Sequence, residues 1–117
     1  MRVPRHPTNI RRMLDSRVKQ MAARKPVLAA SLVSVQRRCG KPGCRCASGE
    51  KHHAHQLTYN VRGKTHTVYV PVDYTEEVRS WIDEHRRLKR LLQEMTQLAL
   101  ALVRSHAQER KRRQGRL

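Results

Sequence analysis

Apolar residues recur at Ile10, Leu14, Val18 and Met21, the three-to-four spacing of one helix face. Thr8 or Asn9 can cap the start after Pro7, and Pro26 stops the pattern, so a short amphipathic helix is expected over residues 9–24. Its other face carries Arg11, Arg12, Arg17, Lys19 and Arg24 with only Asp15 against them, which suits either plain solvation or contact with phosphates. From Val27 the periods mix, but Ser31-Leu-Val-Ser-Val-Gln36 alternates and predicts a strand over 31–38. The following CGKPGCRCASGEKHH reads as a loop, because glycine and proline punctuate it. Gln56–Val61 and Thr65–Val72 then flank Arg62-Gly63-Lys64, with β-branched and aromatic residues on both sides. That pattern predicts a β-hairpin with Gly63 at a positive-φ turn position.

Asp73 opens the last element: its carboxylate can cap the first amides, and Glu76 and Glu77 place negative charge at the positive end of the helix dipole. Neither proline nor glycine interrupts the chain again before Gly115, so a long helix over 74–113 is expected. Two seven-residue registers run along it, Val78, His85, Leu92 and Ala99 in one and Trp81, Leu88, Met95 and Leu102 in the other, with Leu91 and Leu98 widening the stripe. Such a stripe serves equally for packing against the N-terminal helix and for self-association as a homodimer. Residues 110–117 form a basic tail, expected to fray in solution and to order on a polyanion. The fold class that follows is α+β: one domain over 1–117, with an N-terminal helix, a loop-plus-hairpin module over 31–72 and a long coiled-coil-like C-terminal helix.

Charge changes the picture more than composition does. Lys and Arg number 26 against 9 Asp and Glu in 117 residues, a formal net charge of +17, which opposes the compact state unless an anion offsets it. Residues 1–72 hold 15 of the basic and 2 of the acidic residues, so they form the main electrostatic footprint. Nucleic acid, an anionic membrane surface and an acidic protein all satisfy such a field. No apolar run approaches the ~20 residues of a membrane span, and the N-terminus lacks the apolar stretch of a signal peptide. A cytoplasmic location without membrane contact is expected.

Three cysteines within eight residues, in a chain expected in a reducing compartment, point away from disulfides. Cys39-x4-Cys44-x-Cys46-x5-His52 is the ligand set of a closed, tetrahedral structural zinc site. Thiolates and imidazole favour zinc over the hard cations, and Gly40, Gly43 and Gly49 allow the tight turns that convergence demands. Four protein ligands leave no position for an activated water, so the expected Zn2+ is structural. His53 and His55 lie within reach as well as His52.

The run Cys39-Gly-Lys-Pro-Gly-Cys-Arg-Cys-Ala-Ser-Gly-Glu-Lys-His52, then Gly63-Lys-Thr-His-Thr-Val-Tyr-Val-Pro71 and the helix start Glu76-Glu-Val-Arg-x-Trp81, resembles a family of small prokaryotic proteins of unknown function. The resemblance covers roughly residues 30–95. In that family the knuckle reads Cys-Gly-Lys-x-x-Cys-x-Cys, then Gly-x-x-His-Gly-Pro and a run of tyrosines, which implies His52 as the fourth ligand. Here His53, Ala54, His55, Gln56 and Leu57 replace most of the Gly-Pro-aromatic run, and with it any stacking role those aromatics serve. Relatives beside mobile-element genes imply an accessory role to a recombinase or nuclease.

The function expected from these features is binding of DNA or RNA through phosphates, with little base specificity. Arg37, Arg38, Lys41, Arg45, Arg62 and Lys64 are the candidate contacts, by charge and by placement around the knuckle. With no Phe, one Trp and three Tyr the chain offers few stacking platforms. Trp81 belongs in the helix seam, and Tyr59 and Tyr69 fit cross-strand packing better than base contact. The second expectation is an interaction adaptor whose long helix docks on a larger nucleic-acid enzyme. Catalysis is not expected: the chain has no paired-carboxylate constellation, no serine-centred motif and no phosphate-cradling loop, since Gly63-Lys64-Thr65 lacks the upstream glycine.

Overall fold

The computed structural model describes residues 1–37, 43 and 52–115, with the side chains of Arg37, His52 and His53 excepted. Helix α1 (Pro7–Gln20) is followed by strands β1 (Ser31–Arg37), β2 (His52–Val61) and β3 (Lys64–Val70), a 3-10 turn at Val72–Tyr74 and helix α2 (Thr75–Gly115). The class is α+β, as the patterning predicts. The chain divides into two compact units, Lys25–His85 and Met1–Arg24 with Arg86–Leu117.

In the first unit the sheet order is β1-β2-β3, antiparallel throughout. The register sets Leu32 opposite Leu57 and Leu57 opposite Val68, so alternate residues of the central strand share one face. Leu57 and Val70 are buried there with Val78 and Ile82 from the first turns of α2, and Leu28, Ala30 and Leu32 pack against them. The Leu28 amide donates to the Trp81 carbonyl (3.2 Å), and Lys25 Nζ donates to Ser80 Oγ (2.8 Å). Val33 and Tyr69, in register through Gln56, occupy the other face and stay exposed.

The β2–β3 connection is tighter than expected. Val61 already pairs with Lys64, leaving a two-residue loop in which both Arg62 (φ 50°) and Gly63 (φ 82°) are left-handed. Two successive positive φ values make a primed hairpin turn, whose twist matches that of the strands.

Helix α2 also starts differently. Asp73, expected as its cap, lies inside the 3-10 turn, and Thr75 closes that turn by donating its hydroxyl to the Val72 carbonyl (2.9 Å). At the other end α2 continues through the basic segment to Gly115. Arg112 and Arg113 in the last turn suit the negative end of the helix dipole, and Arg113 pairs with Glu109 (3.0 Å) one turn back.

In the second unit Ile10 and Leu98 are the most deeply buried side chains, and Leu91 is buried too. Arg17, assigned by spacing to the polar face of α1, is instead part-buried and donates from Nε to Glu94 Oε2 (2.9 Å), while Val18 is half exposed. The heptad registers are redistributed in the same way: Leu91 and Leu98 form the buried line, and Leu92 and Ala99 turn outward. A straight helix advances 3.6 residues per turn, so a strict seven-residue stripe drifts across its surface.

The ends of α1 are set by contacts that spacing does not show. Pro7 occupies the first turn and has no amide to satisfy, so His6 is the cap, its Nδ1 accepting from the Thr8 amide (3.2 Å). The helix stops at Gln20, four residues short of expectation. There the Arg87 guanidinium donates to the carbonyls of Gln20 (2.7 Å) and Ala22 (2.9 Å), replacing the partners that another helical turn would supply.

Candidate nucleic-acid interface and metal knuckle

Cys39, Cys44 and Cys46 lie outside the described residues, as do Arg38, Lys41 and Arg45 and the side chains of Arg37 and His52. What is described is the frame on which that segment hangs. Residues 38–51 link two antiparallel strands whose closing pair is Arg37 with His52. Antiparallel partners stand about 5 Å apart at Cα, so the backbones of Arg37 and His52 meet at one end of the sheet. Gly43 sits inside the segment at φ 84°, a conformation glycine adopts without penalty. Among the described residues no group of three or more His, Cys, Asp or Glu could hold a metal. His55 lies inside the sheet, opposite Ser34 and Val70, and its Nδ1 is buried without a hydrogen-bond partner.

Arg62 and Lys64 stand elsewhere. They flank Gly63 at the far end of β2, and ten residues of strand separate that turn from the Arg37–His52 pair, about 30 Å at ~3.3 Å per residue. The sheet therefore brings Arg62 and Lys64 together at one end and holds the Arg37–His52 pair at the other. The aromatic side chains divide similarly. Tyr59 stacks on its cross-strand partner His66 (centroids 5.3 Å apart, 23° between planes), and Trp81 meets Tyr74 edge-on (5.5 Å, 83°). Tyr69 is 65% exposed on the open face.

Most cations outside the sheet face solvent. Arg11, Arg12 and Lys19 on α1 are exposed and have no carboxylate partner among the described residues. In the second unit, Arg5 and His6 also share a cleft with Arg104 and Arg112. No spacing rule joins residues about a hundred positions apart, so the sequence gives no signal of that grouping.

The segment from Ile10 in α1, through all three strands, to Ser80 in α2 matches a domain family of unknown function, DUF6788, over residues 10–80. The chain belongs to this family. The DUF6788 match thus includes the knuckle, the sheet and the first turns of α2, while the rest of α2 lies beyond it. No curated protein and no solved structure matches the chain.

Proposed function

We propose that this protein is a zinc-stabilised, basic nucleic-acid-binding accessory protein that grips phosphates with little base readout and has no catalytic activity of its own. The observation that carries the reading is the population of exposed, unpaired cations, Arg11, Arg12, Lys19, Arg62 and Lys64 among them, on a chain of net charge +17. Intramolecular carboxylates do not neutralise that field, so an external polyanion does. Zn2+ held by Cys39, Cys44, Cys46 and His52 would rigidify the loop closed by the Arg37–His52 pair and present Arg37, Arg38, Lys41 and Arg45 at that end of the sheet. Arg62 and Lys64 form a second contact point at the opposite end. Low base specificity follows from the aromatics: Tyr59 and Trp81 are engaged with His66 and Tyr74, leaving few faces for stacking.

Among the described residues no helix is long and apolar enough to cross a membrane. The setting that fits best is the cytoplasm of a prokaryotic cell, beside the recombinase or nuclease of a mobile element.

One observation favours an adaptor reading in addition. Leu92, Leu100 and Val103 on α2 are 52%, 46% and 66% exposed, an apolar strip suited to a larger enzyme or a second copy.

The deciding experiment binds zinc-quantified protein to DNA duplex, single strand and structured RNA across a salt series, with Cys44→Ser alongside. One mole of zinc and a steep salt slope that the variant loses support the proposal. Zinc without binding at ~150 mM salt removes the direct-binding reading and leaves the adaptor.

A further inference from the structure

The cleft of the second unit gathers three exposed arginines from segments distant in the chain. Its walls come from Pro4–Pro7 and Ile10 and from the last third of α2, and this open cleft has a volume of about 820 Å³, within the ~300–1,000 Å³ of ligand pockets. Arg5, Arg104 and Arg112 all line it, and none makes a hydrogen bond or ion pair with a described residue. The one carboxylate in the lining, Glu109, is already held by Arg113 at 3.0 Å. Three like charges gathered in one concavity raise the local positive potential, which an anion seated among them would offset. The start of α1 is part of the same wall through Pro7 and Ile10, and it adds the positive end of a 14-residue helix.

We propose that this cleft binds a phosphate group. Guanidinium forks match phosphate oxygens in pairs, and three of them suit a group that offers several oxygens and up to two charges better than a single carboxylate. The phosphate can come from a nucleic-acid strand or from free inorganic phosphate. Only the first source rests on the function proposed above.

The test uses the full, zinc-loaded chain labelled with nitrogen-15. The amide signals of Thr8, Asn9 and Ile10 are followed as inorganic phosphate, or acetate as the carboxylate control, is added at constant ionic strength. The cleft variant Arg104→Gln/Arg112→Gln is compared with Arg79→Gln/Lys89→Gln, which removes the same charge from exposed positions of α2 outside the cleft. A dispersed amide spectrum shows that each variant is folded. Saturable phosphate shifts in wild type and control, lost in the cleft variant, are the expected result. If a strand is the source, the salt slope for duplex DNA falls by about 1.8 in the cleft variant alone, roughly 30-fold in affinity at 0.15 M salt. Phosphate shifts with an unchanged slope identify free phosphate as the ligand. Phosphate shifts in a protein that binds no nucleic acid keep the cleft and remove the function proposed above. Absence of phosphate shifts, or equal effects in both variants, overturns the proposal.

Discussion

Arg62 holds a backbone conformation that its side chain does not favour, and replacing it should move stability and binding in opposite directions. At φ 50° it occupies the first left-handed position of the β2–β3 turn, where a non-glycine residue costs on the order of 1 kcal/mol and asparagine much less. Arg62→Asn relieves about 0.5–1 kcal/mol of that cost. With a urea dependence of ~1.5 kcal/mol per molar, the unfolding midpoint should rise by roughly 0.5 M. If Arg62 contacts one phosphate, the same change removes about 0.9 from the salt slope on duplex DNA, roughly fivefold in affinity at 0.15 M. Arg62→Lys keeps both the charge and the strain, so it should leave both measurements near wild type. Chemical denaturation followed by circular dichroism and a salt-series anisotropy titration read the two effects separately. An unchanged midpoint would refute the strain argument. A higher midpoint with an unchanged slope would remove Arg62 from the interface.

Gly63→Ala tests the neighbouring position: a Cβ there meets nothing within 4 Å, so the expected loss of about 1 kcal/mol is torsional, and a loss above 3 kcal/mol in the same urea assay would point to an unseen clash. Leu98→Ala should cost about 3 kcal/mol, because the side chain is 0% exposed; a drop in melting temperature below ~3 °C would contradict its place in the core. Arg87→Ala removes both guanidinium bonds to the carbonyls of Gln20 and Ala22 and should cost about 1–2 kcal/mol, with faster hydrogen exchange confined to the C-terminal turn of α1; unchanged exchange there would show that the helix ends without this cap. Stripping zinc with a chelator, or Cys44→Ser, should lower the melting temperature and shift the amide signals of β1 and β2 next to Arg37 and His52; a stoichiometric zinc content that survives in the variant would rule Cys44 out as a ligand.

Local rules located the elements because local physics decides them. Alternation over Ser31–Gln36, β-branched residues on both sides of Gly63, and an unbroken run from Asp73 to Gly115 predict β1, the hairpin and α2 close to where they stand. Residue type and spacing alone nominate Cys39, Cys44, Cys46 and His52 as ligands, and the three cysteines lie outside the described residues. What spacing could not supply is whatever depends on a partner distant in the chain. Arg17 reads as a polar-face cation until Glu94 is set against it, and α1 reads as four residues too long until Arg87 takes its last carbonyls. Heptad spacing marks Leu92 and Leu98 alike as stripe residues, and only the packed helix buries one and exposes the other. The separation of Arg62 from the Arg37–His52 pair is set by the ten-residue length of β2, whose two ends carry them. The cleft of Arg5, Arg104 and Arg112 joins the two ends of the chain, and no periodicity relates residues brought together by tertiary packing alone.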